Sequence, residues 1–284
     1  MTIELNINSP YPFSLQNTVL SHGWFQLEPW KWESNELVLC RSEKLPNDSF
    51  VFIEIKEGSK QNLNITIHYK SSDPSSYKQD IISRITRWLS LEWNPTNAIN
   101  ISQNIDSVIA NYLIQGGGRF LRGTTLYEDF LKTMCTVHCS WSRTKQMVKS
   151  LYQELGNGSS PTPSQIISAG EDHLSKKLKL GFRSKVIIEA TSKLLEENII
   201  NIYGQETEET TYKNLLSIKG IGPYTASHVM VLLHDFSRIP IDSEVSNYMK
   251  TNYSLAVDQI AEFFNPWKQY KFLGYKIGRI LNQI

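Results

Sequence analysis

Two periodicities divide the chain. Up to about residue 75 the apolar positions alternate or run in short stretches, as in Phe50-Val51-Phe52-Ile53-Glu54-Ile55 and Leu63-Asn64-Ile65-Thr66-Ile67-His68-Tyr69, with Gly58-Ser59 between them. Alternation sends successive side chains to opposite faces, so the first part reads as an antiparallel sheet. From Ser76 the period becomes helical. Over 77–92, Ile81, Ile82, Ile85, Trp88 and Leu89 recur about one turn apart. The same spacing predicts helices over about 104–115, 125–138, 142–156, 163–168, 185–198, 210–218, 223–235, 242–251, 255–263 and 268–282. Thr125-Leu126-Tyr127-Glu128 has the form of a capping box, and Asn157 to Pro163 is the strongest break inside the helical part. The pattern predicts an α+β chain, mostly α. A small β-rich N-terminal domain over 1–100, ending in a helix, precedes a helical body over 101–284. Trp24, Trp30 and Trp32 crowd one early segment, where core packing is the simplest use of their area.

The densest signal lies between Leu215 and Val245. An apolar helix ends, the chain turns through Gly220-Ile221-Gly222, and a second helix restarts at Pro223, whose missing N–H costs nothing at a first helical position. Such a turn is a helical hairpin. The unpaired amides opening its second helix stand at the positive end of a dipole and suit an anion such as a phosphate. Beyond the apolar face of Ala226, Val229, Met230 and Leu233 comes Ile239-Pro240-Ile241-Asp242, a single carboxylate after a stiff turn. Asp242 is also placed to cap the helix that starts at Ser243.

Composition narrows the partners only slightly. The 284 residues are long enough for a sizeable core, and 29 basic against 28 acidic side chains give a net charge of +1. Residues 1–100 hold 9 basic and 11 acidic side chains, and the remainder 20 and 17, so the hairpin lies in the positive part. From Asn265 onward Lys268, Lys271, Lys276 and Arg279 occur with no acid, a tail that could face a phosphate backbone or simply water. Three cysteines do not make a disulfide framework, and no apolar run approaches about 18 residues. The expectation is an intracellular, monomeric protein with no membrane segment. Cys135, His138 and Cys139 would share one helix face, but a zinc site wants a fourth ligand and core packing is the stronger reading.

Hairpin, proline and downstream aspartate together resemble the helix-hairpin-helix-Gly/Pro-Asp pattern of the base-excision DNA glycosylases. The β-rich start and helical body resemble the 8-oxoguanine and alkyladenine branches of that family. Gly116-Gly117-Gly118-Arg119-Phe120-Leu121-Arg122 and the segment from Leu178 to Arg183 resemble the 8-oxoguanine branch. The resemblance implies that Asp242 is catalytic, because a fixed carboxylate stabilises positive charge developing on the sugar as the base departs. It implies DNA contacts for Gly220, Gly222, Tyr224 and Thr225 at the hairpin. Phe182 would be an aromatic wedge, and Arg143 and Arg183 would read the base opposite the lesion. His138 replaces the family's gap-filling Asn. A monovalent cation among the hairpin carbonyls is the inorganic group the resemblance allows; no organic cofactor is expected.

Tyr224 sits where strand-cleaving relatives carry a Schiff-base lysine, and a phenol supplies no amine. Lys219, before the turn, has the wrong offset. The expected function is therefore a monofunctional glycosylase that flips an alkylated or oxidised purine out of double-stranded DNA and hydrolyses its N-glycosidic bond. The alternatives are a bifunctional 8-oxoguanine-type glycosylase/lyase and a non-catalytic DNA clamp.

Overall fold

A computed structural model describes residues 1–59, 61–70 and 74–282. Strands β1 (Thr2–Asn8), β2 (Trp30–Glu33), β3 (Val38–Lys44), β4 (Phe50–Glu57) and β5 (Asn62–Tyr69) form one antiparallel sheet in the order β1-β5-β4-β3-β2, with a short helix α1 (Leu15–Val19) between the first two. Ile53 pairs with Ile67 and Ile55 with Ile65, so the inward residues of β4 and β5 stack while Phe50 and Phe52 face water. The alternation in the sequence is this two-sidedness.

The helical body comprises α2 (Lys78–Trp88), α3 (Thr96–Gln103), α4 (Ser107–Ile114), α5 (Leu126–Thr136), α6 (Trp141–Ser150), α7 (Pro163–Asp172), α8 (Arg183–Glu196), α9 (Tyr212–Ser217), α10 (Pro223–Leu232), α11 (Ser243–Tyr253), α12 (Val257–Phe263) and α13 (Lys271–Leu281). The helix expected over 104–115 is α4, which starts late. Asp106 Oδ1 accepts the amides of Val108 and Ile109 at 2.9 and 3.1 Å and caps it, and α3 fills the preceding stretch. The helices expected over 142–156 and 163–168 continue differently: α6 and α7 each run into a π turn, Leu151–Leu155 and His173–Lys177, with Gly170 at φ 74° breaking α7.

Helix α5 is the axis of the body, buried from Leu126 to Cys135. It ends two residues earlier than its periodicity predicts, because Val137 is extended and His138 takes φ 46°. Cys135, His138 and Cys139 therefore share no helix face, and the described residues contain no group of three metal-ligating side chains.

Sheet and body meet in a seam of buried charge. Arg41 of β3 lies between the rings of Trp30 and Trp88, 4.6 and 4.8 Å from their centres. Its guanidinium grips Glu128 of α5 through two bonds of 3.0 and 2.8 Å and gives Nε to Glu43 at 2.7 Å. Lys132 closes the set at 2.7 Å from Glu128. One buried apolar cluster extends from Leu5 to Ile277, across both parts of the chain. No helix among the described residues is long and apolar enough to cross a membrane.

Candidate active site

The hairpin forms as the sequence requires. Thr211 caps α9 by accepting the Asn214 amide at 3.1 Å; after Ser217 the chain reverses, and Ile221 donates to the Ile218 carbonyl at 3.0 Å. The two glycines serve different ends. Gly220 has φ 92°, and a Cβ there would lie 2.4 Å from Val186 Cγ1, so the fold itself excludes a side chain. Gly222 has an ordinary φ of −86°, and a Cβ would meet nothing within 4 Å. Its bare backbone opens outward where α10 presents its first-turn amides. Thr225 is buried, its hydroxyl 3.9 Å from Met134 Sδ, so its side chain packs inward instead of facing a DNA backbone. The turn offers neutral carbonyl oxygens and no carboxylate among Ile218 to Gly222, a donor set suited to a monovalent rather than a divalent cation.

Asp242 follows the buried Ile239 and Pro240 and caps α11. Oδ1 accepts the Val245 amide at 2.8 Å; Oδ2 has no hydrogen-bond partner among the described residues. One carboxylate thus fixes the helix with one oxygen and leaves the other open. Helix α11 is tied to α13 by the Glu244–Arg279 ion pair, and Arg279 donates to the Tyr275 hydroxyl at 3.0 Å.

Asp242 lines a cleft of about 800 Å³. His22 and Trp24 enter it from the segment before β2, Phe120 from the loop before α5, Tyr224 and His228 from α10, and Phe272, Tyr275 and Lys276 from α13. Aromatic rings pack side by side along one wall: His22 lies 4.7 Å from Trp24, Trp24 5.1 Å from His228, and His228 5.9 Å from Tyr224. Asp129 holds the Trp24 indole N–H at 2.9 Å. Burial, reinforced by Lys276, pushes His228 down to about 4; burial, then His228 and Lys276, push His22 well below the ordinary histidine range. Both rings are neutral at pH 7, and both Nε2 atoms are buried without a partner. Burial also lowers Lys276, Arg279 adds to this, and Glu244 and Asp242 oppose it. Tyr224 is raised by burial, while its hydroxyl lies 3.3 Å from that of Thr136.

The cleft mouth is shaped by the turn after α5, where Thr136, Val137, His138 and Cys139 line it. Arg183 is buried beneath this turn. It gives Nε to the Val137 carbonyl at 3.1 Å and Nη2 to the His138 carbonyl at 3.0 Å, so its guanidinium holds backbone. Arg143 is exposed and reaches the Lys179 carbonyl at 3.1 Å. Phe182, 64% exposed, stands at the start of α8 with the Arg183 guanidinium 4.4 Å from its ring centre. Core packing is excluded for it. The C-terminal basic residues do not form one face: Lys268 is exposed, Lys271 bonds Asn265 and the Ala261 carbonyl, Arg279 is paired, and Lys276 points into the cleft it lines.

Sequence reasoning gave Asp242 and the hairpin but missed most of the cleft wall. His228, on the hairpin's second helix, could be read either as core or as cleft lining; it lies four residues after Tyr224, on the same helix face, and lines the cleft. His22, Trp24 and Lys276 had none, because only tertiary folding brings three distant segments together.

No family model matches the chain. An N-glycosylase/DNA lyase from Saccharomyces cerevisiae is 27% identical over 159 residues, covering 47% of this chain and 41% of the yeast protein, less than half its length. Among solved structures, a 3-methyladenine DNA-glycosylase from Archaeoglobus fulgidus superposes with a TM-score of 0.73 over 96% of both chains at 17% identity. The Clostridium acetobutylicum 8-oxoguanine glycosylase/lyase, solved with double-stranded DNA containing cytosine opposite 8-oxoguanine, gives 0.70 over 100% of this chain and 99% of that one at 15% identity. The chain has the fold of the helix-hairpin-helix DNA glycosylases.

Proposed function

We propose that the protein is a monofunctional DNA glycosylase that hydrolyses the N-glycosidic bond of a damaged purine extruded from duplex DNA. The observation that carries this reading is Asp242, whose Oδ2 is unpartnered at a cleft able to hold a purine and whose helix cap fixes it in place. As the base departs, the deoxyribose gains positive charge; a fixed carboxylate stabilises that charge and orients a water for attack at the anomeric carbon. Gly222 and the first-turn amides of α10 bring a DNA phosphate close to the same edge, with backbone carbonyls of the turn available to a monovalent cation. Phe182 fills or props the stack after extrusion, and Arg143 contacts the opposite strand. Arg183 positions the His138 turn beside the vacated space.

Tyr224 supplies no amine to the sugar, so the product is an abasic site in an intact strand. The relatives support the glycosylase class and include both strand-cleaving and alkylpurine enzymes by name. The test is base release from duplexes containing 8-oxoguanine, hypoxanthine, 7-methylguanine, 3-methyladenine or uracil, read with and without alkali. Release of a purine with nicking only after alkali is expected. Tight binding without release from any duplex would favour a clamp, and a borohydride-trapped protein–DNA adduct would replace hydrolysis by lyase chemistry.

A further inference from the structure

The cleft contains three polar groups that the proposed hydrolysis leaves unused. Lys276 makes no hydrogen bond or ion pair to any described residue, although α13 places it among Phe272, Tyr275 and the His22–His228 wall. The Nε2 atoms of His22 and His228 are buried and unmet, and Lys276, itself half-buried, stands beside them on the same cleft. Protein interiors seldom leave polar atoms in this state, and the seam around Arg41 satisfies its charges with bonds of 2.7–3.0 Å. Three unmet groups on one cleft point to a polar ligand edge that completes them.

We propose that Lys276, with His22 and His228, reads the edge of the extruded base and selects neutral oxo-purines over cationic N-alkylpurines. This rests on the glycosylase reading above and narrows its substrate class. The chemistry separates the candidates. An oxo-purine is uncharged and offers carbonyl oxygens, which accept from the Lys276 ammonium and restore the bond that burial removed. A neutral imidazole Nε2 can accept from a ring N–H or donate to a carbonyl, according to tautomer. A purine alkylated at N3 or N7 carries a positive charge into the same enclosed space. Lys276 repels it there, and Glu244 offers little compensation because Arg279 already neutralises it. Asp242 lies at the sugar end and serves the departing base whatever its kind. Burial lowers Lys276, and an acceptor oxygen beside its ammonium opposes that shift.

The decisive comparison uses 8-oxoguanine and 7-methylguanine, one purine frame with and without the positive charge. Single-turnover release by the wild type should favour 8-oxoguanine by about tenfold or more, Lys276→Met should bring the ratio within about threefold, and Lys276→Arg should keep the wild-type order. Thermal melting establishes that each variant is folded. Binding of the same two duplexes by Asp242→Asn, alone and combined with Lys276→Met, gives a second readout that does not need turnover, with the same order expected. Preference for 7-methylguanine, or a ratio untouched by Lys276→Met in both assays, would overturn the selection while leaving the glycosylase intact. Absence of release from every duplex would instead defeat the proposed function, and the binding ratio would still decide the role of Lys276. A borohydride adduct lost in Lys276→Met would make the residue a nucleophile and overturn its role as an edge reader.

Discussion

The seam and the cleft both draw ionisable groups out of water, and they do so in opposite ways. At the seam between sheet and body, Arg41, Glu43, Glu128 and Lys132 satisfy one another, and Thr124 adds its hydroxyl to Glu43 at 2.9 Å. Around the cleft, Asp242 keeps an oxygen free, two histidine nitrogens are orphaned and Lys276 has no counter-ion bonded to it. A closed network costs desolvation and returns it through its own hydrogen bonds, which fixes how sheet and helices join. An open set leaves its groups without such bonds until something enters. The difference separates what holds the fold from what uses it.

Breaking the seam should therefore have the largest effect on stability. Burial alone would raise the Glu128 carboxyl, but Arg41 and Lys132 outweigh it and hold it well below the usual carboxylate range. Glu128→Gln leaves two buried cations short of their partner, and denaturant unfolding should show a loss of about 3–5 kcal/mol. A loss under about 1 kcal/mol would mean that the seam is hydrated and that the contrast between the two regions is false. The same depressed carboxyl contributes stability that is fully present above about pH 4.5 and is lost as pH falls below that value.

The hairpin repeats the contrast within three residues. Gly220→Ala must place a methyl at positive φ and against Val186, and should cost about 2–4 kcal/mol in the same unfolding measurement. Gly222→Ala meets open space, so stability should change by no more than about 0.5 kcal/mol. Affinity for duplex DNA should nonetheless fall by about tenfold, because the methyl stands where a phosphate would approach the amides. Equal affinity for the two proteins in a binding titration would remove the phosphate from this turn.

The cleft histidines set the acid side of the stability profile. His228 titrates near 6.5 when unfolded and about 4 when folded. Its neutral form is common to both states above pH 6.5, so its contribution is lost as pH falls from about 6.5 towards 4. His22, also depressed by burial, and His234, which lies outside the cleft beside Trp93 and Phe236 and is likewise depressed, add to this slope. His228→Gln should flatten the profile in that window by up to about one proton, or about 1.4 kcal/mol per pH unit, while the Glu128 contribution, lost below about pH 4.5, remains.

What could be read from the sequence follows from how local each feature is. The hairpin, the Asp242 cap and most of the amphipathic helices are encoded within a few residues of one another, and they appear close to where the sequence puts them, with shifted ends. The end of α5 could not be read, since Arg183, forty-five residues on, holds the carbonyls of Val137 and His138 in a turn that periodicity extends as helix. Lys276 was hidden for a similar reason. In the sequence it belongs to a run of basic residues facing no acid; in the fold, α13 turns it towards His22 and His228, and Glu244 claims Arg279 instead. The seam was equally silent, because Arg41 and Glu128 lie 87 residues apart.

Asp242→Asn, measured for unfolding free energy and for single-turnover base release on one preparation, separates the two regions most directly. Asn caps a helix as well as Asp and keeps its shape but lacks the charge that stabilises the sugar. The expected result is a stability within about 1 kcal/mol of wild type, with release slowed by about a thousandfold or more. Release that survives the substitution, or a fall in stability large enough to explain its loss, would make Asp242 a structural cap and leave the cleft without its catalyst.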